Sequence, residues 1–156
     1  MKINRAYRVE LGPNNKQKTL LLKCVGTARF AYNWGLQRKK QVYYMNQLPV
    51  PHIKNPNAID LHKELNKLKK TDYPWMYEVS KCAPQEALRD LDKAFVNFFK
   101  RRAGYPKYKS KKQGIKSFRL TETIKASSND IQLPRIGCIR LKENNYLPSN
   151  IHILSA

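Results

Sequence analysis

Acidic side chains are scarce in this chain. Eleven Asp and Glu stand against 31 Lys and Arg in 156 residues, a formal net charge of +20. Such an excess repels itself unless a polyanion neutralises it, which argues for an anionic partner. Cysteine is equally sparse: Cys24, Cys82 and Cys138 fit neither a disulfide framework nor a CxxC zinc spacing. They read instead as small buried hydrophobes. His52, His62 and His152 are scattered, so the spacing offers no metal site. No run approaches the roughly 18 apolar residues of a membrane span. The opening Met1-Lys2-Ile3-Asn4-Arg5 lacks the apolar core of a signal peptide, which points to the cytoplasm. GxSxG, Walker-type glycine loops, HExxH and internal repeats are all missing, so no catalytic motif declares itself.

What is present suffices for folding. Hydrophobic residues make up 41% and aromatics 10%, enough to exclude wholesale disorder. The length allows one compact domain, or two small ones sharing a core. Charge is unevenly placed. Residues 11–59 and 93–121 contain no acid, and most acids fall between Asp60 and Asp92. Nucleic acid is the expected partner of such blocks. A solvated basic surface is the plainer alternative, and an anionic membrane would need a basic amphipathic helix with an exposed apolar face.

Residues Arg5–Leu11 alternate in period two and predict a strand, stopped by Gly12-Pro13-Asn14. From about Lys16 to Met45 the pattern is helical, with Leu21, Val25, Ala28, Tyr32 and Leu36 on one stripe. Gly26 and Gly35 either kink this helix or permit close packing. A second helix is expected over Ala58–Lys70, with Leu61, Leu65 and Leu68 inward. Tyr73-Pro74-Trp75 predicts an aromatic turn. A third helix is expected from about Pro84, a residue suited to a first turn, with Ala87, Leu88, Leu91, Ala94, Phe95 and Phe98 inward. Its outward face reads Gln85, Arg89, Lys93, Asn97 and Lys100, without an acid. After Gly104 a flexible basic tract leads to short strands at Lys116–Thr121, Ile131–Leu133, Gly137–Leu141 and Ile151–Leu154. The class is α+β: a small antiparallel sheet or barrel, with the helices inserted if the first strand pairs with the later ones.

Candidate chemistry is limited. Asp90 and Asp92 diverge on the third helix and read as solvated charges or ion-pair partners of Arg89 and Lys93. Tyr105, Tyr108 and Phe118 are interleaved with Lys107, Lys109, Lys111, Lys112, Lys116 and Arg119. Aromatics stack on bases while cations hold phosphates, and the same aromatics serve equally well as core. Arg29, Arg38, Lys39 and Lys40 form a second basic group, beside Tyr43-Tyr44, which suits either core or stacking.

Several blocks then carry a resemblance. Gly26-Thr27-Ala28-Arg29-Phe30-Ala31-Tyr32-Asn33-Trp34 and Leu65-Asn66-Lys67-Leu68-Lys69-Lys70 come first. Gln85–Phe95 with Asn97-Phe98-Phe99, Gly104-Tyr105-Pro106-Lys107-Tyr108-Lys109, Ser117-Phe118-Arg119 and Leu133-Pro134-Arg135-Ile136-Gly137 follow. Together and in this order they resemble the start of TnpB (OrfB) proteins of insertion sequences, RNA-guided DNA endonucleases related to type V CRISPR effectors. This region is also described as a helix-turn-helix domain of a transposase.

The resemblance implies an OB-like wedge barrel interrupted by a helical recognition domain of three to four helices. Residues 1–12 and 104–156 would be wedge and basic linker, and 13–103 the recognition domain. The implied partners are guide RNA and target DNA, with base pairing reading most of the sequence. Lys81, Gln85 and Arg89 match family positions facing target-flanking DNA, and Pro84 among them places Lys81 just before the helix. Thr123 matches a further DNA-contact position. Family members continue into a RuvC-like nuclease domain with three metal-binding carboxylates, which these residues do not contain. The expectation is therefore a binding fragment without cleavage activity, with no cofactor or small-molecule substrate and an incomplete barrel. Its rivals are half of a split nuclease completed by a separately encoded domain, and a degenerate remnant.

Overall fold

The computed structural model describes residues 3–113, 116–149 and 151–156. Met1 and Lys2, which open the expected wedge segment, and residues 114, 115 and 150 of the expected linker and wedge lie outside the described residues. The fold is α+β, in the order β1 (Leu11–Gly12), α1 (Asn15–Met45), α2 (Ala58–Leu68), a 3-10 helix (Pro74–Glu78), α3 (Cys82–Phe99), β2 (Lys125–Ala126), β3 (Asp130–Leu133) and β4 (Gly137–Leu141). Two compact units result: Lys23–Arg119, and Met1–Leu22 with Leu120–Ala156.

The helical unit is built on α1. Its start is fixed by Asn14 and Gln17, whose side chains each accept from the other's backbone N–H, at 2.8 and 3.0 Å. Its buried line runs through Cys24, Ala28, Ala31, Tyr32, Gly35, Leu36, Lys39 and Val42 at three- and four-residue steps. Leu21 and Val25, expected on that line, are only half-buried. Neither glycine interrupts the helix. Gly26 has open space at its Cβ position, whereas a Cβ on Gly35 would lie 2.6 Å from Leu88 Cδ2, 3.0 Å from Leu91 Cδ2 and 3.4 Å from Leu61 Cδ1. At Gly35, therefore, side chains of α2 and α3 pack directly onto the backbone of α1.

Helix α2 begins with a capping box: Asn57 Oδ1 accepts from Asp60 N at 2.9 Å, and Asp60 Oδ2 from Asn57 N at 3.2 Å. Leu61 and Leu65 are fully buried, while Leu68 is only half-buried. Helix α3 begins at Cys82, two residues before the expected start at Pro84. Proline is tolerated there because first-turn N–H groups need no intrahelical acceptor. The three helices share a core of Ala28, Ala31, Leu36, Leu61, Leu65 and Leu88 with their neighbours. Phe30 seals one end, packed edge-on against Tyr73 at 4.8 Å and Trp75 at 5.1 Å.

The second unit holds an antiparallel sheet of order β1-β4-β3-β2. Among the described residues it is open, with β1 and β2 at its edges. Ile131 pairs with Ile139 and Leu133 with Gly137, so Ile131, Leu133, Ile139 and Leu141 share the buried face. The turn between β3 and β4 places Arg135 at φ 64° and Gly137 at φ 91°, a left-handed step that glycine makes without steric cost.

Several strand expectations are corrected. Of Arg5–Leu11, only Leu11 joins the ladder, opposite Leu141. Lys116–Thr121 is not a strand, because Phe118 packs against the helical core and Arg119 pairs with α3. Ile151–Leu154 is not one either, although Leu120 and Ala156 exchange backbone bonds of 2.8 and 3.0 Å. Cys138 is exposed rather than core, since β4 alternates and Ile139 and Leu141 take the inner face. Cys24 and Cys82 are buried, and burial pushes the Cys24 thiol up to about 11.

Close approach at Gly35 gives a stability test. Gly35→Ala is expected to cost about 1–3 kcal/mol by overpacking. Gly26→Ala, with free space, is expected to gain about 0.5–1 kcal/mol from helix propensity. Urea denaturation midpoints of the two variants check the difference in sign.

Candidate nucleic-acid interface

Helix α3 presents its polar row outward. Arg89, Lys93, Asn97 and Lys100 are exposed, Gln85 is half-buried, and Lys81 stands exposed immediately before the first helical residue. The row has no acid of its own, but one lies beneath it. Glu86 is 3% exposed and takes Arg89 at 2.7 Å and Arg119 at 3.7 Å. Arg119 also reaches Asp90 at 3.4 Å. These contacts hold two of the predicted cations in fixed positions over α3 and part-neutralise them.

Asp90 and Asp92 have partners other than those expected. Asp90 meets Arg119, not Arg89 or Lys93. Asp92 accepts from Lys39 Nζ at 2.9 Å and from the backbone N–H of Ala58 at 2.6 Å, so it caps α2. Lys39 is itself buried, donating also to Pro56 O at 2.7 Å and lying 5.1 Å from the Phe95 ring centre. It is a core cation, which removes it from the second basic surface. Arg38 likewise pairs with Glu64 at 2.8 Å.

The basic tract is anchored rather than loose at its start. Asn33 on α1 clasps the backbone of Lys109, donating to its carbonyl and accepting from its N–H, both at 2.8 Å. The Lys109 ammonium sits 4.2 Å from the Tyr32 ring centre. Tyr108 donates its hydroxyl to Gln37, and Lys40 lies 4.4 Å from its ring centre. Tyr105 packs edge-on against Phe95 and Phe98, at 5.6 and 5.2 Å. Phe118 packs against the helical core, whereas Tyr105 and Tyr108 both keep half-exposed rings, and Lys40 also lies 5.7 Å from the Tyr105 ring centre. Tyr43 and Tyr44 are exposed and pack on each other edge-on. Lys107, Lys111, Lys112 and Lys116 are exposed. Thr123 is exposed in the sheet-bearing unit, just before β2.

Sequence reasoning missed a cleft between α2 and α3. It has a volume of about 210 Å³ and is lined by Ala58, Ile59, His62, Lys63, Gln85 and Arg89. His62 is half-buried there, 3.5 Å from the Asn66 amide. Burial, then Lys69, Arg89 and Lys81, hold its imidazole below the ordinary histidine range. Lys69, just beyond α2, is itself buried, which lowers the pKa of its ammonium. The signal available in the sequence was the i+4 row of Ala58, His62 and Asn66, legible as an outer face but not as a cleft wall.

Among the described residues, no group of three or more His, Cys, Asp or Glu side chains is placed to hold a metal ion. No described helix is long and apolar enough to cross a membrane.

Comparison with known proteins adds relatives. Residues 1–47 match the family HTH_OrfB_IS605, described as a helix-turn-helix domain. The chain is 31% identical over 121 residues to a provisionally named RNA-guided DNA endonuclease of Streptomyces pristinaespiralis, covering 78% of this chain and 29% of that protein. It is 26% identical over 146 residues to a provisionally named RNA-guided DNA endonuclease, InsQ, of Escherichia coli K12, covering 92% of this chain and 35% of that protein. The match thus spans about a third of these relatives' length.

The Asn33 clasp predicts a local change. Asn33→Ala removes both bonds to Lys109 and is expected to speed trypsin cleavage after Lys109 and Lys111 several-fold while the helices stay folded. Timed proteolysis beside far-ultraviolet circular dichroism measures this.

Proposed function

The chain carries the amino-terminal region of the TnpB (OrfB) family, and from that premise we propose that it is the nucleic-acid-gripping part of an RNA-guided DNA endonuclease, binding guide RNA and target-flanking DNA without cutting either by itself. The observation that carries this reading is the row from Lys81 to Lys100 along α3, which presents cations and amides at successive turns of one rigid helix. Amides and guanidinium groups at that spacing suit base edges, while lysines hold phosphates. Its carboxylate chemistry supports binding over cleavage: Glu86, Asp90 and Asp92 are each engaged in ion pairs or a helix cap. In this reading residues 13–103 form the recognition domain. Residues 1–12 and 104–156 form the wedge, an OB-like barrel in the whole protein, with the basic linker between.

Lys107, Lys109, Lys111 and Lys112 act as phosphate contacts, displayed from a tract whose first part is fixed to α1 by Asn33 and Gln37. Lys93, Lys100, Lys116, Arg119 and Tyr108 extend the surface of the helical unit, and Thr123, in the sheet-bearing unit, is proposed as a DNA contact of its own.

Two measurements separate the parts. Replacing Lys107, Lys109, Lys111 and Lys112 with alanine should weaken binding to RNA and DNA alike. It should also flatten the plot of log affinity against log salt by about 0.9 for each duplex phosphate that the variant no longer neutralises. An unchanged salt slope would remove the tract from the interface. Gln85→Ala should instead redistribute sequence preference, reducing discrimination at one base pair by about 1–3 kcal/mol. A selection from randomised flanking sequence reads this directly, and an unaltered profile refutes it.

A further inference from the structure

The cleft between α2 and α3 has a composition that the proposed interface does not explain. Its polar lining is one imidazole, two permanent cations and one amide: His62, Lys63, Arg89 and Gln85. Lys69 and Lys81 add positive charge that reaches His62. Among the described residues, the acids of both helices are turned to structural tasks. On α2, Asp60 closes the capping box and Glu64 pairs with Arg38 at 2.8 Å. On α3, Glu86 holds Arg89 and Arg119, Asp90 holds Arg119, and Asp92 holds Lys39 and the first N–H of α2. None of them lines the cleft; Glu86 part-neutralises Arg89 from beneath, and the positive charge that remains is open to an anion supplied from outside.

We propose that this cleft is a proton-linked phosphodiester site, in which His62 takes up one proton from solvent as a backbone phosphate of bound nucleic acid enters. The inference rests on the nucleic-acid-binding reading above and adds a regulation to it. The physical argument is a reversal of local field. Without ligand, His62 is half-buried and Lys69, Arg89 and Lys81 act on it, so its neutral form is favoured and it stays below the ordinary range. A phosphodiester oxyanion in the same cleft favours the imidazolium, and partial burial limits solvent screening. The diester remains a monoanion, and Lys63 and Arg89 remain cations, so His62 is the group in the cleft that titrates near neutrality.

Linkage then fixes the sign. Binding raises the His62 pKa, so affinity increases as pH falls, by up to about tenfold per unit between the bound and free pKa values. It is flat above the bound value and flat again below the free one. In use, such a site would tighten the grip on DNA under mild acidification and loosen it above neutrality.

The test uses the whole chain and two probes at constant ionic strength: a fluorescein-labelled DNA duplex, and dimethyl phosphate as an isolated phosphodiester. Binding of the duplex is followed by anisotropy across the histidine titration range, and the His62 ring protons by NMR, assigned through their loss in His62→Gln. The expected result is a His62 pKa that rises on adding duplex, a Kd that decreases as the pH is lowered in the wild type, and a flat Kd in His62→Gln. Lys63→Gln should weaken binding at every pH yet keep the slope, which separates a missing cation from a missing proton site. An unchanged His62 titration in saturating duplex, or a slope that survives His62→Gln, overturns the proposal while leaving nucleic acid binding intact. Should the duplex fail to bind at any pH, the DNA-binding half of the functional reading falls, and dimethyl phosphate decides the cleft. A raised His62 pKa keeps a phosphodiester site, and no change removes it.

Discussion

The structure depends on one close approach. At Gly35 the side chains of Leu61, Leu88 and Leu91 occupy the space that any Cβ would need, so α2 and α3 both rest on the bare backbone of α1. One turn further along, Lys39 reaches Asp92 on α3 and Pro56 O before α2, and Asp92 caps the first N–H of α2. Apolar contact fixes the distance between helices, and the ion pair fixes their register. A buried pair of this kind contributes little net stability, because desolvation offsets its attraction, yet removing one partner strands the other. Its value here is positional. With α2 and α3 pinned in this way, the cleft between them and the outward row of α3 have a defined geometry.

A protein with so large an excess of positive charge deploys its acids where they organise cations. Glu86 lies under Arg89 and Arg119, Asp92 secures Lys39, and Glu64 holds Arg38. Several basic residues that look alike in sequence therefore differ in physical role. Lys39 belongs to the core, Arg89 and Arg119 are oriented by carboxylates, and Lys93, Lys107, Lys111 and Lys112 stand in solvent. Exposed lysines bring charge, whereas guanidinium groups held by a buried carboxylate bring direction.

The helices were legible because 31 residues of α1 and 18 of α3 keep a three- and four-residue apolar rhythm that a strand cannot satisfy. That rhythm, with Pro84 for α3, marked their starts to within two positions. The strands were read less well because short period-two runs such as Lys116–Thr121 and Arg5–Leu11 exist in sequence while only Leu120 of the first and Glu10 and Leu11 of the second meet a partner backbone among the described residues. Phe118 and Arg119 are claimed by the helical core and α3, a choice made by tertiary contacts far along the chain. The same distance hides the pairing of Lys39 with Asp92 and the walls of the His62 cleft. The outer row of α3 was visible from its spacing alone; the carboxylate beneath it was not, because Glu86 reads as just another charge on a polar helix. The aromatics stood open between stacking and core; Phe118 packs against the helical core, while Tyr105 packs on Phe95 and Phe98 and still keeps a half-exposed ring.

The sheet topology also sets an order of events during synthesis. The helical unit, Lys23–Arg119, is contiguous, so its core can condense as soon as α3 and the following tract have left the ribosome. The strand at Leu11–Gly12 must wait longer, since its partner Leu141 is made last among the sheet residues. The loop that must close between them is then occupied by already folded helices, so its entropic cost is far below that of a free chain of equal length. On this topology the first strand has no sheet partner until β4 has been made.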